Sequence, residues 1–188
     1  AVIFFCLLAA TARSEPVTLL FAGDLMLADG PGRTIAAGGD PLAPFAAILN
    51  QADYRIGNLE VPVATSGKPH ASKIVSFRAD PRVVSTLHGR FDAVSLANNH
   101  SGDYGHDAFV ETMRHLANAG IAYFGGGHNL AEAHRPLWIE KNGLKIAVLG
   151  YNEFKPRAFE AGANWPGVAW SEDDLVIAGI RAAKAAGA

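Results

Sequence analysis

The sequence contains a single cysteine, Cys6, among its 188 residues, and this scarcity excludes several kinds of site. Cys6 lies in an apolar segment at the N-terminus, so the rest of the chain has no thiol. A disulfide framework, a thiolate zinc site and a cysteine nucleophile are therefore excluded for the main part of the chain.

An excess of charge of either sign is also missing. Lys and Arg together number 16 and Asp and Glu 18, which gives a formal net charge of −2 at pH 7. Proteins that bind nucleic acid usually present a basic face, so no nucleic-acid partner is expected. The composition, 49% apolar and 18% charged, is that of an ordinary globular protein. A chain of this length forms one sizeable core, so we predict one domain over residues 14–188.

Apolar runs long enough to cross a bilayer, which needs about 20 helical residues, are absent too. The most apolar segment, AVIFFCLLAATA at 1–12, ends in a small-x-small pattern typical of a cleaved secretory signal. We interpret residues 1–13 as the remnant of a signal peptide; the alternative is a buried strand or helix of the mature domain. The segment has no Met and no basic start, so we expect a truncated N-terminus. We also expect export, to the periplasm or the extracellular face of the cell envelope.

Short apolar segments alternate with helical patterns along the chain, and a hairpin signal follows them. Residues 29–40 are rich in Gly and Pro and predict a loop. Asn142-Gly143 is a strong hairpin turn. This order predicts an α/β fold with a mixed sheet. The predicted strands are 17–21, 54–56, 93–96 and 121–124, the hairpin strands are 137–140 and 145–149, and the predicted helices are 41–49, 80–87, 107–119 and 175–186.

Three of the predicted strands end in polar residues. In α/β sheets, sites form beyond the carboxyl ends of the strands, so these side chains converge if the strands are neighbours. Carboxylate, amide oxygen and imidazole together suit a divalent ion such as Mn²⁺, Zn²⁺ or Fe²⁺. Each residue alone has an ordinary role in a turn or cap, but the run Asn-Asn-His is hard to explain as a turn. In chain order the residues are Asp24; Asn58 and Glu60; Asn98, Asn99, His100 and Asp103.

Four ordered motifs extend this pattern, and together they resemble the capsule-synthesis CapA family. Members of that family are associated with poly-γ-glutamate capsule formation and belong to the calcineurin-like metallophosphatase superfamily. The resemblance runs from about Val17 to Tyr151. The motifs are FAGDLM at 21–26, GNLE at 57–60, ANNHSGDYG at 97–105 and GGGHNLAEA at 125–133.

The resemblance implies a metallophosphatase-like αββα sandwich with mixed sheets and a site for one or two metal ions. Asp24 matches the first metal-binding Asp of the superfamily, and Asn99 matches its metal-binding Asn. Asn58 and Glu60 lie in the second motif, where the superfamily more often has an Asp, so which of them coordinates is left open. The implied cofactor is a divalent metal ion.

The same resemblance implies catalytic roles for two further residues. His100 matches the His that protonates a leaving group or stabilises the transition state, and Asp103 orients it. Two departures stand against a full two-metal centre. Leu25 and Met26 follow Asp24 where the superfamily has Asp-x-His, and the later His-bearing motifs are absent. We interpret this second absence as truncation, with the fold incomplete at the C-terminus.

The implied function is a metal-dependent hydrolase of capsule biosynthesis. Its substrate would be an anionic polymer or a small phosphoester or amide, including a γ-glutamyl linkage. The alternative is a non-catalytic metal- or polymer-binding subunit of a membrane polyglutamate synthase or export complex. A nucleotidase-like phosphoesterase is a third hypothesis, which depends on superfamily analogy alone.

Overall fold

The computed structural model describes residues 15–71, 73–154 and 157–188. The predicted signal peptide, residues 1–13, lies outside the described residues. Among the helices in those three ranges, none is both long and apolar enough to cross a membrane.

A four-stranded parallel sheet lies at the centre of the fold. Its strands, side by side in chain order, are β1 (Leu19–Asp24), β2 (Tyr54–Asn58), β3 (Ala93–Ser95) and β4 (Ala122–Phe124). All three pairings are parallel. Parallel neighbours end at the same edge of a sheet, so this order brings the polar residues after β1, β2 and β3 together. The predicted α/β class is confirmed.

Helices connect and cover the strands. Asp80 accepts a hydrogen bond from the Arg82 N–H at 2.9 Å, and Asn129 accepts one from the Glu132 N–H at 2.9 Å. Both residues are helix N-caps. Two 3₁₀ turns, Ala43–Phe45 and Pro81–Val83, run directly into the second and third helices. The α-helices are α1 (Asp29–Ala36), α2 (Ala46–Leu49), α3 (Val84–Leu87), α4 (Gly105–Asn118), α5 (Leu130–Ala133) and α6 (Asp173–Ala185).

The helix α1 corrects one prediction. Residues 29–40 were expected to form a loop, yet Asp29–Ala36 is helical. Pro31 is the third residue of the helix, where its missing N–H costs nothing because first-turn N–H groups have no partner within a helix. A proline in a first turn therefore does not indicate a loop.

Antiparallel pairing lies outside the parallel sheet. β6 (Leu137–Lys141) and β7 (Leu144–Val148) form the predicted hairpin. Its turn residues, Asn142 at φ 52° and Gly143 at φ 78°, both adopt the left-handed conformation of a tight hairpin turn. A second antiparallel pair joins β5 (Gly126–Gly127) to β8 (Gly167–Val168).

Side chains from the two faces of the parallel sheet enter two separate cores. On β3, Ala93 belongs to one core and Val94 to the other, as the alternation of a strand requires. The larger core contains Phe109, Met113 and Leu116 of α4, all at most 1% exposed. The smaller core joins the sheet to the hairpin through Ile56, Ala93, Phe124, Leu137 and Ile139.

Candidate active site

The carboxyl ends of β1, β2 and β3 bring four of the polar residues predicted to converge there into direct contact. Asp24 pairs in register with Asn58 across β1 and β2. The Asn58 side-chain nitrogen, Nδ2, donates to Asp24 Oδ1 at 2.9 Å and to Glu60 Oε2 at 2.7 Å. Asn98, which follows β3, donates from its own Nδ2 to Asn58 Oδ1 at 3.0 Å.

Asn98 is the centre of this network, and backbone groups fix its orientation. The N–H groups of His100 and Ser101 can only donate, and both point at Asn98 Oδ1, at 3.0 and 2.9 Å. The Leu59 carbonyl can only accept, and it receives Asn98 Nδ2 at 2.9 Å. Asn98 is 5% exposed and uses both ends of its amide within the protein.

The orientation of Asn98 fixes that of Asn58. Because Asn98 presents its Nδ2 to Asn58, the Asn58 atom that faces it is the accepting oxygen. The Asn58 nitrogen is thereby directed at the carboxylates of Asp24 and Glu60. Asn58 thus donates to the acidic pair in this arrangement.

Asp24 and Glu60 share this donor as two closely placed carboxylates. Burial, followed by the neighbouring Asp24, raises the pKa of Glu60 to about 7. Hydrogen bonds from Asn58 and then Glu60 lower the pKa of Asp24 below its ordinary value. Two carboxylates that share a site resist ionising together, which moves their pKa values apart.

His100 and Asp103 form the second part of the site. The His100 ring nitrogen Nδ1 lies 2.8 Å from Asp103 Oδ2, and the Asp103 side chain is fully buried. Asp103 Oδ2 also accepts the Phe77 N–H at 2.7 Å, and the Phe77 ring packs against the imidazole with centroids 5.0 Å apart. The electrostatic influence of His100 helps to lower the pKa of Asp24. The His100–Asp103 pair therefore acts electrostatically on the Asp24–Glu60 pair.

Lys73 is a site residue that sequence reasoning missed. Its ammonium group contacts Asp103 Oδ1 and the main-chain oxygen of Asn99. The loop that carries it is separated from the Asn-Asn-His motif by more than 20 residues, and no sequence pattern links the two. Only the fold of the segment around His70 and Phe77 onto Asp103 brings Lys73 to this position.

Asp24, Glu60 and Asn99 are the residues suited to a divalent ion. Within the described ranges, no group of three or more His, Cys, Asp and Glu side chains is placed to hold a metal. Two carboxylates remain, and a cation would relieve their mutual repulsion. The Asn99 side chain forms no hydrogen bond within the described part of the chain, which leaves its amide oxygen available. Carboxylate and amide oxygens are donors that suit a hard or borderline divalent ion.

Comparison with known proteins identifies the family. Residues 18–188 match the family model described as bacterial capsule synthesis protein PGA_cap. The chain belongs to this family. The resemblance predicted from the four motifs is thus confirmed.

Named relatives of this chain come from several bacteria. "PGA biosynthesis protein CapA" of Bacillus subtilis (strain 168) is 28% identical over 179 residues, which cover 93% of this chain and 47% of the relative. "Capsule biosynthesis protein CapA" of Bacillus anthracis is 28% identical over 185 residues, 92% of this chain and 43% of the relative. "Probable polyglutamine synthesis accessory protein" of Mycobacterium tuberculosis (strain ATCC 25618 / H37Rv) is 31% identical over 121 residues, 62% of this chain and 32% of the relative.

The chain spans a little under half the length of the two Bacillus relatives that it matches. The family match nevertheless includes every residue of the candidate site, from Asp24 to Asp103. The site is therefore built within the part of the chain that defines membership of the capsule synthesis family.

Proposed function

We propose that this chain forms the metal-binding and proton-donating part of a hydrolase site that acts on phosphoester or amide bonds in capsule biosynthesis. The observation that carries this proposal is the pairing of His100 with buried Asp103 at the sheet edge where Asp24 and Glu60 converge. A carboxylate-oriented imidazole beside an acidic pair is a recurring arrangement for metal-assisted hydrolysis.

Asp24, Glu60 and Asn99 are the residues that would hold the cation. Bound there, a divalent ion supplies a polarised scissile group and a water that ionises near neutral pH. Asn58 and Asn98 support these side chains from the ends of β2 and β3.

His100 donates the proton in this proposal. Asp103 accepts the hydrogen bond from Nδ1, so the other ring nitrogen, Nε2, is the one left to face a substrate. The protonated ring gives its Nε2 proton to the leaving oxygen or nitrogen as the scissile bond breaks. The neutral ring that remains, with its hydrogen on Nδ1, recovers a proton from solvent, and Asp103 keeps the ring in place.

Substrate, partners and location follow from the family and are part of the proposal. The named relatives act in PGA, capsule and polyglutamine synthesis according to their names. We infer an anionic polymer, or a small phosphoester or amide derived from it, as the substrate. We also infer a membrane synthase complex as partner and an exported location at the cell envelope.

A second candidate is a non-catalytic subunit that binds a metal ion or polymer carboxylates for a synthase or export complex. The absence of a third acidic or imidazole ligand among the described residues favours it. The name of the mycobacterial relative, a synthesis accessory protein, is compatible with such a role.

Substitution of His100 separates the two candidates. In the natural protein, His100→Ala is expected to lower turnover by about 10²- to 10⁴-fold, the usual contribution of a general acid, while the metal content stays the same. Turnover is measured on phosphoesters, γ-glutamyl amides and poly-γ-glutamate with Mn²⁺, Zn²⁺ or Fe²⁺ added, and metal content by elemental analysis.

His88→Ala is the matched control, since His88 is exposed at the end of α3. If His100→Ala keeps the turnover of the wild type, His100 is not the proton donor. If the wild-type protein binds metal and hydrolyses none of these substrates, while export of the polymer survives His100→Ala in cells, the accessory role is the correct one.

A further inference from the structure

Lys73 makes two contacts at the candidate site, whereas an ordinary surface lysine would extend into solvent. Its ammonium group contacts Asp103 Oδ1 and the main-chain oxygen of Asn99. The Lys73 side chain is 21% exposed, and the carboxylate that it meets is not exposed at all. The cationic group is thus turned inward, toward the motif that carries His100.

The two contacts lie on either side of His100. The Asn99 oxygen belongs to the peptide group that joins Asn99 to His100, so it fixes the backbone at the base of the imidazole. Asp103 accepts the hydrogen bond from the ring nitrogen Nδ1 at 2.8 Å, so it fixes the ring itself. An ammonium group has three donors and no acceptor, and it can therefore serve both oxygens at once.

Lys73 also fixes the rotation of the Asp103 carboxylate about its bond to the side chain. Lys73 occupies Oδ1, while the Phe77 N–H and His100 Nδ1 share Oδ2 at 2.7 and 2.8 Å. Rotation of the carboxylate would break all three contacts. Oδ2 is held as an acceptor, which keeps the hydrogen of the neutral imidazole on Nδ1 and leaves Nε2 directed away from Asp103.

We propose that Lys73 is a positioning residue for His100, which acts through Asp103 and through the Asn99 carbonyl. This inference rests on the proposed function, because it takes His100 as the proton donor. It adds a residue that the sequence motifs do not contain, in the loop between the second and the third motif.

The test compares Lys73→Met with Lys73→Arg in the natural protein. Lys73→Met removes the donor and is expected to lower kcat by about 10²-fold, the effect of a small displacement of a reacting group, with KM nearly unchanged. Lys73→Arg keeps a cationic donor and restores most of kcat. Lys68→Met is the matched control, because Lys68 is exposed in the same loop and is expected to leave kcat unchanged.

A second measurement does not depend on turnover. Nitrogen-15 chemical shifts of the His100 ring, recorded at a pH where imidazole is neutral, distinguish hydrogen on Nδ1 from hydrogen on Nε2. We expect a single Nδ1–H form in the wild type and in Lys73→Arg, and a mixture in Lys73→Met. Should Lys73→Met fail to fold, Lys73→Gln keeps one donor and is expected to give the mixture.

The two measurements separate failure of this inference from failure of the proposed function. A wild-type protein that hydrolyses nothing contradicts the proposed function, yet the ring spectra still decide the role of Lys73. A folded Lys73→Met protein with the wild-type ring form and wild-type kcat would overturn the inference. Loss of stability alone, with the ring form unchanged, would also overturn it, since that outcome describes a purely structural lysine.

Discussion

Asn98 shows how one side chain organises the candidate site at the residue scale. Its oxygen accepts from the backbone N–H groups of His100 and Ser101, and its nitrogen donates to the Leu59 carbonyl and to Asn58. The two ends of the amide have opposite polarity, so the residue joins the turn that carries His100 to the strand that carries Asn58. A carboxylate has no donor and an alcohol has only one, so neither could make both of the hydrogen bonds that the Asn98 nitrogen donates.

Asn98→Asp is expected to lower the free energy of unfolding by about 2–4 kcal/mol. The substitution keeps the acceptor for the two N–H groups but sets a second oxygen against two accepting oxygens, and each buried polar group that loses its partner costs about 1–3 kcal/mol. Urea unfolding measures the change. Asn164→Asp is the control for the added charge, because Asn164 is exposed. Equal stability of the two variants would contradict the role of Asn98.

Sequence reasoning placed most of the site but could not assign its inner contacts. Asp24, Asn58 and Glu60 were found because strand ends in an α/β protein meet at one edge. The run Asn98-Asn99-His100 does not say which amide faces inward, since that depends on the turn that follows β3. Lys73 was missed for a related reason, because its contact with Asp103 depends on the path of an irregular loop.

At the scale of whole elements, α4 anchors the segment that leads to this loop. Val63 donates its N–H to Thr112 Oγ1 at 2.9 Å. The preceding residue of the helix, Glu111, accepts hydrogen bonds from the N–H and hydroxyl groups of Thr65, both at 3.0 Å, and of Ser66. The segment is thus held to α4 at one end, and to Asp103 at the other.

Glu111→Gln is expected to lower the free energy of unfolding by about 1–3 kcal/mol, since hydrogen bonds to a charged acceptor are replaced by weaker ones. Glu140→Gln is the control with the same chemical change, because the Glu140 side chain is 71% exposed. Thermal or urea unfolding at neutral pH measures both. If Glu111→Gln is as stable as Glu140→Gln, the hydrogen bonds of Glu111 to Thr65 and Ser66 contribute nothing to the free energy of unfolding.

The hydrogen bonds of Glu111 also predict how the free energy of unfolding changes with pH. Burial acts to raise the pKa of Glu111, but the hydrogen bonds from Ser66 and Thr65 outweigh it and hold the pKa well below the ordinary value. A carboxyl group whose pKa is lower in the folded state stabilises the protein above the unfolded pKa, about 4.3 for Glu, and loses that contribution as the pH falls further. The stability difference between wild type and Glu111→Gln should therefore shrink below about pH 4.

At the scale of the whole molecule, the parallel sheet separates two cores. Helix α4 covers one face and the β6–β7 hairpin the other, and the same strands contribute to both. Short apolar segments predicted the strands, and the turn Asn142-Gly143 predicted the hairpin. Neither pattern could predict that the hairpin packs on the sheet as a separate layer, because that contact joins β4 to β6 through side chains, without backbone hydrogen bonds between the two strands.

Two matched substitutions test whether the cores unfold together, as the predicted single domain requires. Ile121 lies in the core shared with α4 and Ile139 in the core shared with the hairpin, and each is 3% exposed. Ile121→Val and Ile139→Val should each lower the free energy of unfolding by about 0.5–1.5 kcal/mol.

Far-UV circular dichroism follows mainly the helices, whereas tryptophan fluorescence includes Trp138 on β6. Because strands such as β3 contribute side chains to both cores, loss of packing on one face weakens the other. We therefore expect each variant to shift a single urea transition by the same amount in both signals. A variant that moved only one of the two signals would show that the hairpin and the helical layer unfold as separate units.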